Sequence, residues 1–220
     1  LWILGTRVEE VFGHARTLLI VLVFAAGSGA AEYALQDGGV GLSGVGYGLF
    51  GVSWWLARYD PRFADAMDQR TARLFAAWFL LCIVLTAAEW LPVANVAHGM
   101  GWLQGLAMGA AVATGAKAAR SSARAVGVAA SVGLLALSLA GATVLRPLVN
   151  QSPEAGVDSA RLGYLALLDT HNQVAADHLE RALALNDRKD WWTNLGIAYR
   201  GLGREREAAA AFERADSMAD

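Results

Sequence analysis

Five long apolar stretches constrain the fold of this 220-residue chain more than any other feature. A helix needs about 20 residues to cross the hydrocarbon core of a bilayer. Backbone N–H and C=O groups in lipid must be satisfied within their own element, so each stretch is predicted to be a helix. The sequence therefore predicts an all-α, polytopic transmembrane helix bundle. The predicted spans are residues 17–35, 41–57, 74–91, 93–116 and 125–145.

Composition separates two regions that suit different solvents. Hydrophobic residues make up 55% of the chain and charged residues only 17%, which is too apolar for an ordinary soluble protein. Charges are sparse up to Arg146 and dense from Glu154 onward. We therefore predict a membrane domain over 1–146, a linker over 147–155 and a soluble module over 156–220. The net charge of −2 favours neither nucleic-acid binding nor a strongly basic membrane surface.

The distribution of Lys and Arg predicts the orientation of the bundle. All nine such residues before position 146 lie in alternate loops, and the intervening loops 32–40 and 89–96 contain none. By the positive-inside rule, these two loops lie outside the cytoplasm. Ser43 and His98 each follow one of them, so both are predicted near the outer face, about one turn below their helix starts. The polar stretch 6–16 is predicted to be a loop or interfacial turn after a helix end at residues 1–4.

Glycines at a spacing of four mark two of the predicted spans as packing partners. Residues at this spacing share one face of a helix, and small residues there let transmembrane helices approach closely. One glycine face begins beside Ser43 and the other follows His98. If the two faces meet, the hydroxyl and the imidazole meet with them. The glycines are Gly44, Gly48, Gly101, Gly105 and Gly109.

Ser43 and His98 together suggest nucleophilic catalysis. A serine alone is a normal small residue at helix contacts, whereas an ionisable residue inside a span is costly and indicates a function. Neutral imidazole can take the proton of a serine hydroxyl near neutral pH. Neither span contains an aspartate, and Glu89, taken as the one acid near the outer face, is predicted to be a solvated carboxylate. The residues favour a dyad, beside which Tyr47 either packs on the imidazole or fills space.

A helical repeat is predicted after the membrane domain. Residues 156–220 are rich in Ala, Leu, Arg, Asp and Glu at the spacing of soluble amphipathic helices. They match the tetratricopeptide pattern, with a weaker copy upstream, and two copies are fewer than the usual minimum of about three. The repeat unit is therefore expected to be short, to be capped by another element, or to continue beyond Asp220. The pattern is carried by Trp192, Leu195, Gly196, Tyr199, Ala208, Phe212 and Ala215, and the weaker copy by Leu162, Gly163, Ala175, Leu179 and Ala182.

The motifs of the first 116 residues resemble those of the rhomboid family of intramembrane serine proteases, of the bacterial GlpG type. The resemblance implies that Ser43 is the nucleophile, that His98 is the general base and that the Tyr47 ring stacks on the histidine. It also implies that the backbone N–H of Ser43 belongs to an oxyanion hole, with no metal or cofactor. The matching motifs are Gly41-Leu42-Ser43-Gly44 with Tyr47, Asn95-Val96-Ala97-His98 with Gly101 and Gly105, and Leu1-Trp2-Ile3-Leu4-Gly5 with Val8-Glu9.

The resemblance further implies that the sequence is truncated at its N-terminus. Family members carry a His and an Asn that help to stabilise the oxyanion, on a helix that precedes Leu1. The family's first helix and most of its second are therefore expected to be missing, and with them part of the catalytic apparatus. The extra span 125–145 resembles a six-plus-one arrangement, which would place the repeats outside the cytoplasm.

Three functions are compatible with these features. The favoured one is an endopeptidase of the bacterial inner membrane that cleaves transmembrane proteins near the outer face, where their helices unwind easily. The second is a catalytically silent relative that binds membrane clients and presents the repeats for docking, which the presence of both Ser43 and His98 disfavours. The third is a transporter, disfavoured because the spans lack Asp, Lys and Arg. Expected partners are transmembrane substrates, the bilayer and a peptide or protein bound by the repeats.

Overall fold

The computed structural model describes residues 2–36, 38–39, 41–113, 118–152 and 155–218. Within these residues the chain forms eleven α-helices and one 3-10 turn, with no strand. The predicted all-α class is therefore confirmed. The chain divides into two compact units, Leu1–Leu145 and Arg146–Asp220, and each contains its own cluster of buried apolar residues.

The first unit contains six helices among its described residues. Three of them have the length and composition to cross a membrane: His14–Leu35, Gln69–Ala87 and Ser122–Ala142. The predicted span end at Ala116 and the neighbouring Lys117 lie outside the described residues. The helices are α1 (Trp2–Phe12), α2 (His14–Leu35), α3 (Ser43–Leu56), α4 (Gln69–Ala87), α5 (Asn95–Val112) and α6 (Ala118–Ala142), with the 3-10 turn at Pro61–Phe63.

The prediction of a loop over residues 6–16 is wrong. Helix α1 continues to Phe12, and α2 begins at His14 after a break of one residue, Gly13, whose φ of 79° suits glycine. The helix forms because Leu4 and Val8, one turn apart, are both buried against the core. Its charged side chains lie on another face of the same helix. The sequence interpretation counted those charges and overlooked the apolar spacing between them.

Helix α3 lies at the centre of the first unit. Eleven of its 14 residues are buried, and it packs against α1, α2, α4 and α5. At about 1.5 Å per residue, it is shorter than a complete span. Because the neighbouring helices surround α3, its glycine-rich sequence does not face lipid.

Helix α4 lies at the edge of the same unit. Cys82 is its only buried residue, and the exposed side chains are large and apolar, as suits a helix that faces lipid. The helix begins five residues earlier than predicted because Asp68 caps it by accepting a hydrogen bond of 2.7 Å from the Thr71 N–H. That bond lowers the pKa of Asp68 below its ordinary value. The exposed apolar residues include Leu74, Trp78, Leu80, Ile83 and Val84.

The second unit consists of a short helix followed by two helical hairpins. A glycine in the first helix of each hairpin faces a large side chain in the second. A Cβ on Gly163 would lie 2.7 Å from Leu179, and one on Gly196 would lie 2.6 Å from the Phe212 ring. Both members of the second pair follow their counterparts by 33 residues. The helices are α7 (Arg146–Val149), α8 (Ala155–Leu168), α9 (Asn172–Leu185), α10 (Lys189–Gly201) and α11 (Glu205–Asp216).

The predicted linker 147–155 contains most of α7 and the first residue of α8, while Pro153 and Glu154 lie outside the described residues. The Arg146 Nε forms an ion pair with the Asp158 Oδ2 at 2.9 Å, and Asn150 donates a hydrogen bond to the same carboxylate oxygen at 2.9 Å. These bonds join α7 to α8, so α7 belongs to the second unit.

Candidate active site

His98 packs against two aromatic rings. It lies one turn into α5 and is only 2% exposed. Its ring stacks on Tyr47 of α3, with the two centroids 4.7 Å apart and the planes 31° apart. The Phe79 ring of α4 lies beside that of Tyr47, with its centroid 6.2 Å from that of the imidazole. Tyr47 is itself fixed, because its hydroxyl donates to the carbonyl oxygen of Phe75 at 3.1 Å. Rings from α3 and α4 therefore set the orientation of the imidazole.

Ser43 is the first residue of α3, and its side chain is exposed. The sequence placed it one turn inside the helix, and this detail is wrong. The chain before it is not helical, because Gly41 has φ of 151°, a conformation that favours glycine. The first intrahelical bond of α3 is donated by Gly46 to Leu42. The N–H of Ser43 therefore lies in the first helical turn, where N–H groups have no acceptor one turn back and favour negative charge.

The backbones of α3 and α5 are in direct contact through glycine. A Cβ on Gly101 would lie 2.1 Å from the carbonyl oxygen of Gly44, and one on Gly105 would lie 2.2 Å from that of Gly48. Distances below 3.0 Å cannot be tolerated without a shift, so only glycine fits at these positions. The glycine face of α5 thus meets α3 at the carbonyl oxygens of Gly44 and Gly48. The Cβ positions of these two glycines face Ser28 and Phe24 of α2.

The same contact brings the surroundings of Ser43 and His98 together. A Cβ on Gly44, next to Ser43, would lie 3.2 Å from the carbonyl oxygen of Ala97, next to His98. No hydrogen bond joins Ser43 to His98 in the described part of the chain, and the His98 Nδ1 is buried there without a partner. Glu89 is exposed, as expected for a solvated carboxylate. No acid in the described residues bonds to the imidazole, as a triad would require.

Sequence reasoning missed Glu32. The charge pattern assigns it to the outer loop and leaves Glu89 as the one acid near the outer face, and the structure shows that both predictions are wrong. Glu32 lies within α2, is 5% exposed, and its Oε2 accepts a hydrogen bond of 2.8 Å from the Ala97 N–H. The spacing of four that links it to Ser28 and Phe24, both buried, could have revealed that it faces the bundle.

A second buried polar residue, Gln104, also escaped attention. It is 0% exposed and points at α2, where a Cβ on Gly27 would lie 1.8 Å from its Nε2. Neither the oxygen nor the nitrogen of its amide has a hydrogen-bond partner among the described residues. A lone glutamine in a glycine-rich span was a signal that this position faces another helix.

Two cavities adjoin these residues. An apolar cavity of about 370 Å³ opens between α3, α4 and α5 and reaches His98. A cavity of about 320 Å³ lies between the end of α2 and the start of α5, with Glu32 in its wall. No group of three His, Cys, Asp or Glu suited to a metal occurs among the described residues. The first cavity is lined by Tyr47, Phe50, Trp54, Gln69, Ala72, Arg73, Phe75, Ala76, Phe79, His98 and Trp102.

Comparison with known proteins identifies a family that this chain resembles. The model of the rhomboid domain matches residues 1–115. Rhomboid proteases GlpG of Salmonella paratyphi A (strain ATCC 9150 / SARB42), Salmonella choleraesuis (strain SC-B67) and Salmonella newport (strain SL254) are each 36% identical to the chain over 110 residues. These alignments cover 49% of the chain and 38% of each relative. No solved structure gives a significant match.

The family match and the structure agree on the kind of protein. The matched residues form α1 to α5 of the first unit, and the same segment contains Ser43 and His98. Its candidate membrane spans suit a protein embedded in the bilayer. This chain therefore belongs to the rhomboid family of intramembrane proteases and is an integral membrane protein.

Proposed function

We propose that the protein is an intramembrane serine endopeptidase that uses Ser43 and His98 as a catalytic dyad. The observation that most supports this function is the stack of His98 on Tyr47, with centroids 4.7 Å apart, one helical turn from the exposed Ser43. A buried histidine is costly in a membrane protein and is expected to have a function. Ser43 is the residue with a nucleophile's chemistry at the same end of the α3–α5 contact.

The proposed reaction begins when the Ser43 Oγ attacks the carbonyl carbon of a peptide bond. His98 accepts the hydroxyl proton and then donates it to the leaving amine, which gives an acyl-enzyme. We propose Nε2 as the nitrogen that accepts the proton, because Nδ1 is buried. Water then attacks the ester with His98 again as base, which releases the acid and regenerates the serine hydroxyl. Tyr47 holds the ring in place during both steps.

The start of α3 suits the charge that develops during the attack. The N–H of Ser43 lies at a helix N-terminus, which stabilises an oxyanion. We propose that it forms part of an oxyanion hole, with further donors outside this sequence. Substrates would be transmembrane proteins whose helices unwind near the outer face, because an intact helix hides its carbonyl groups.

A fluorophosphonate probe and a transmembrane substrate test the dyad in the full-length protein in detergent. We expect Ser43→Ala and His98→Ala each to abolish cleavage and labelling, because the two residues act as a unit. The stability loss should be modest, on the order of 1 kcal/mol.

Ser53→Ala is the matched control, since Ser53 is a buried serine on the same helix. It should keep both cleavage and labelling. Cleavage by either dyad variant would refute the proposed mechanism. A wild-type protein that binds substrates but neither cleaves nor labels would favour the catalytically silent alternative.

The charge pattern supports a location for the second unit outside the cytoplasm. Lys117, Arg120 and Arg124 precede the last span, so the positive-inside rule makes their loop cytoplasmic and carries Arg146 and the following residues to the opposite side. The repeated glycine contacts of the hairpins are consistent with a tetratricopeptide-like module. We propose that it binds an extracytoplasmic peptide or protein segment of a client and raises the local concentration of the scissile helix.

A tag after Asp220 tests this topology in the bacterial inner membrane. External protease should remove the tag from intact spheroplasts if the module is outside. A tag that stays protected until the membrane is dissolved would place the module in the cytoplasm and exclude the docking role.

A further inference from the structure

We propose that Glu32 is a positioning residue for His98: its carboxylate holds the first turn of α5 and, through that turn, the imidazole. This inference rests on the proposed Ser43–His98 chemistry. Glu32 belongs to α2 and is 5% exposed. Its Oε2 accepts the Ala97 N–H at 2.8 Å. The donor is the residue directly before His98.

Helix α5 has no cap of its own at this end. Its N-cap residue is Ala94, which offers no side-chain acceptor. The first backbone bond of the helix is donated by His98 to Ala94 at 3.2 Å, so the N–H groups of the preceding residues need other acceptors. Carboxylates are favoured at helix N-termini. Glu32 therefore supplies from another helix the cap that the sequence of α5 lacks.

The burial of Glu32 is informative because a buried carboxylate is costly unless it is hydrogen-bonded. At this position a shorter polar residue or an apolar one would leave the Ala97 N–H buried without an acceptor, which is also unfavourable. The pairing satisfies both groups at once. It joins residues 65 positions apart in the chain, so it links two helices rather than strengthening one.

Helix α2 touches the surroundings of both proposed catalytic residues. Ser28 lies one turn before Glu32 on the same face, and a Cβ on Gly44 would lie 2.3 Å from the Ser28 Oγ. Gly44 follows Ser43, and Ala97 precedes His98. One stripe of α2 thus contacts the helix of the nucleophile and the helix of the base, and the separation of the two depends on it.

The same carboxylate also lies in the wall of the outer cavity of about 320 Å³, which suggests a competing role in binding a basic group of the substrate. A positioning role and a binding role differ in kinetics. Misplacement of a base by about 1 Å can reduce the chemical step by roughly 100-fold and leaves substrate affinity intact. Loss of a substrate contact raises KM instead.

Steady-state cleavage of a transmembrane substrate by the full-length protein distinguishes these roles. Glu32→Leu removes the acceptor at similar volume, and we expect kcat to fall about 10-fold to 100-fold with little change in KM. Glu32→Gln keeps an acceptor oxygen and should restore kcat to within about 5-fold of wild type, since the main loss follows from the unpaired N–H. Ser138→Ala, which removes a buried hydroxyl bonded within α6, is the control and should keep full activity.

Three results would overturn the inference: full kcat in Glu32→Leu, equal losses in Glu32→Gln and Glu32→Leu, or a rise in KM at unchanged kcat. The last result would assign Glu32 to substrate binding. These three results are compared only after wild type is shown to cleave the substrate and Ser43→Ala is shown not to. Failure of the proposed function is therefore detected first and separately.

A second measurement is independent of catalysis. In a Cys82→Ala background, a chain with Ser43→Cys and His98→Cys reports the proximity of the two positions through the rate of disulfide formation under a mild oxidant. Adding Glu32→Leu should slow this rate about 10-fold or more, while adding Glu32→Gln should not, because only the leucine lacks an acceptor for Ala97. Equal rates in all three chains would overturn the positioning role even if the protein proves to be no protease.

Discussion

The two units of this protein both place glycine where helices approach, yet the glycines of α5 that face α3 meet different atoms from the glycines of the second unit. In the membrane unit, Cβ atoms on Gly101 and Gly105 would strike carbonyl oxygens of α3 at 2.1 and 2.2 Å. In the second unit, Cβ atoms on Gly163 and Gly196 would first meet the side chains of Leu179 and Phe212 at 2.7 and 2.6 Å. Helices α3 and α5 therefore pack backbone to backbone, and the helical hairpins pack backbone to side chain. Other glycines of the first unit also face side chains, as Gly48 does, where a Cβ would lie 2.3 Å from the Phe24 ring.

The difference follows from the solvent. In lipid, burying an apolar side chain between helices gains little, so association depends on close van der Waals contact, which glycine allows. In water, removing a large apolar side chain from solvent is the main driving force. A backbone oxygen cannot turn away from an added methyl group, whereas a ring can. The same substitution should therefore cost more at the α3–α5 contact than in the second unit.

The largest effect is expected for Gly105→Ala. The new methyl group would lie 2.2 Å from the Gly48 carbonyl oxygen and would force α3 and α5 apart, which separates Ser43 from His98. Cleavage should fall by about 100-fold or more, and Gly105→Leu should abolish it. The measurement is kcat on a transmembrane substrate. Gly29→Ala, which has open space within 4 Å, is the control, and a full rate in Gly105→Ala would show that the contact does not determine catalysis.

A smaller effect is expected for Gly196→Ala. The methyl group displaces the Phe212 ring at a cost of about 1–3 kcal/mol, partly offset by about 1 kcal/mol from the better helix propensity of alanine. Hydrogen exchange of α10 and α11 in the full chain measures the net loss of local stability. Gly163→Ala should cost more, because the backbone oxygen of Ala175 also lies 3.2 Å from the new atom. The reverse order would contradict the distinction between backbone and side-chain neighbours.

The smallest effect is expected at a polar surface contact of the second unit. Asp187 accepts hydrogen bonds from Trp192 and Arg214, and these bonds lower the pKa of its carboxyl group below the ordinary value. The stabilisation is therefore present above the pKa of the unfolded chain and is lost as the pH falls through the lower pKa of the folded protein.

Asp187→Asn should lower the melting temperature of the second unit slightly at pH 7, and the gap to wild type should close in acid. Because Asp187 is exposed, solvent screens the interaction. The check is a set of melting curves at a series of pH values, with hydrogen exchange of α10 and α11 as the readout. A gap that persists unchanged at low pH would show that the charge of Asp187 is not the cause.

The sequence predicted the features that depend on local pattern. Hydropathy indicated the apolar helices, and the spacing of Gly101 and Gly105 indicated the face of α5 that meets α3. The same reasoning failed for α1, where charges concealed the pair Leu4 and Val8. It also failed for Glu32, which was assigned to a loop because it follows a long apolar run.

What the sequence by itself determined is the all-α class and the family, and it supplied the two residues proposed as a dyad, because composition and short motifs carry that information directly. Only the tertiary structure decided that Tyr47 stacks on His98, that Ser43 begins α3 and that Glu32 caps α5. These depend on which helix faces which, over separations as long as the 65 residues between Glu32 and Ala97. A pattern along one helix shows that a face is buried, but the partner of each buried polar group is chosen only when the helices pack.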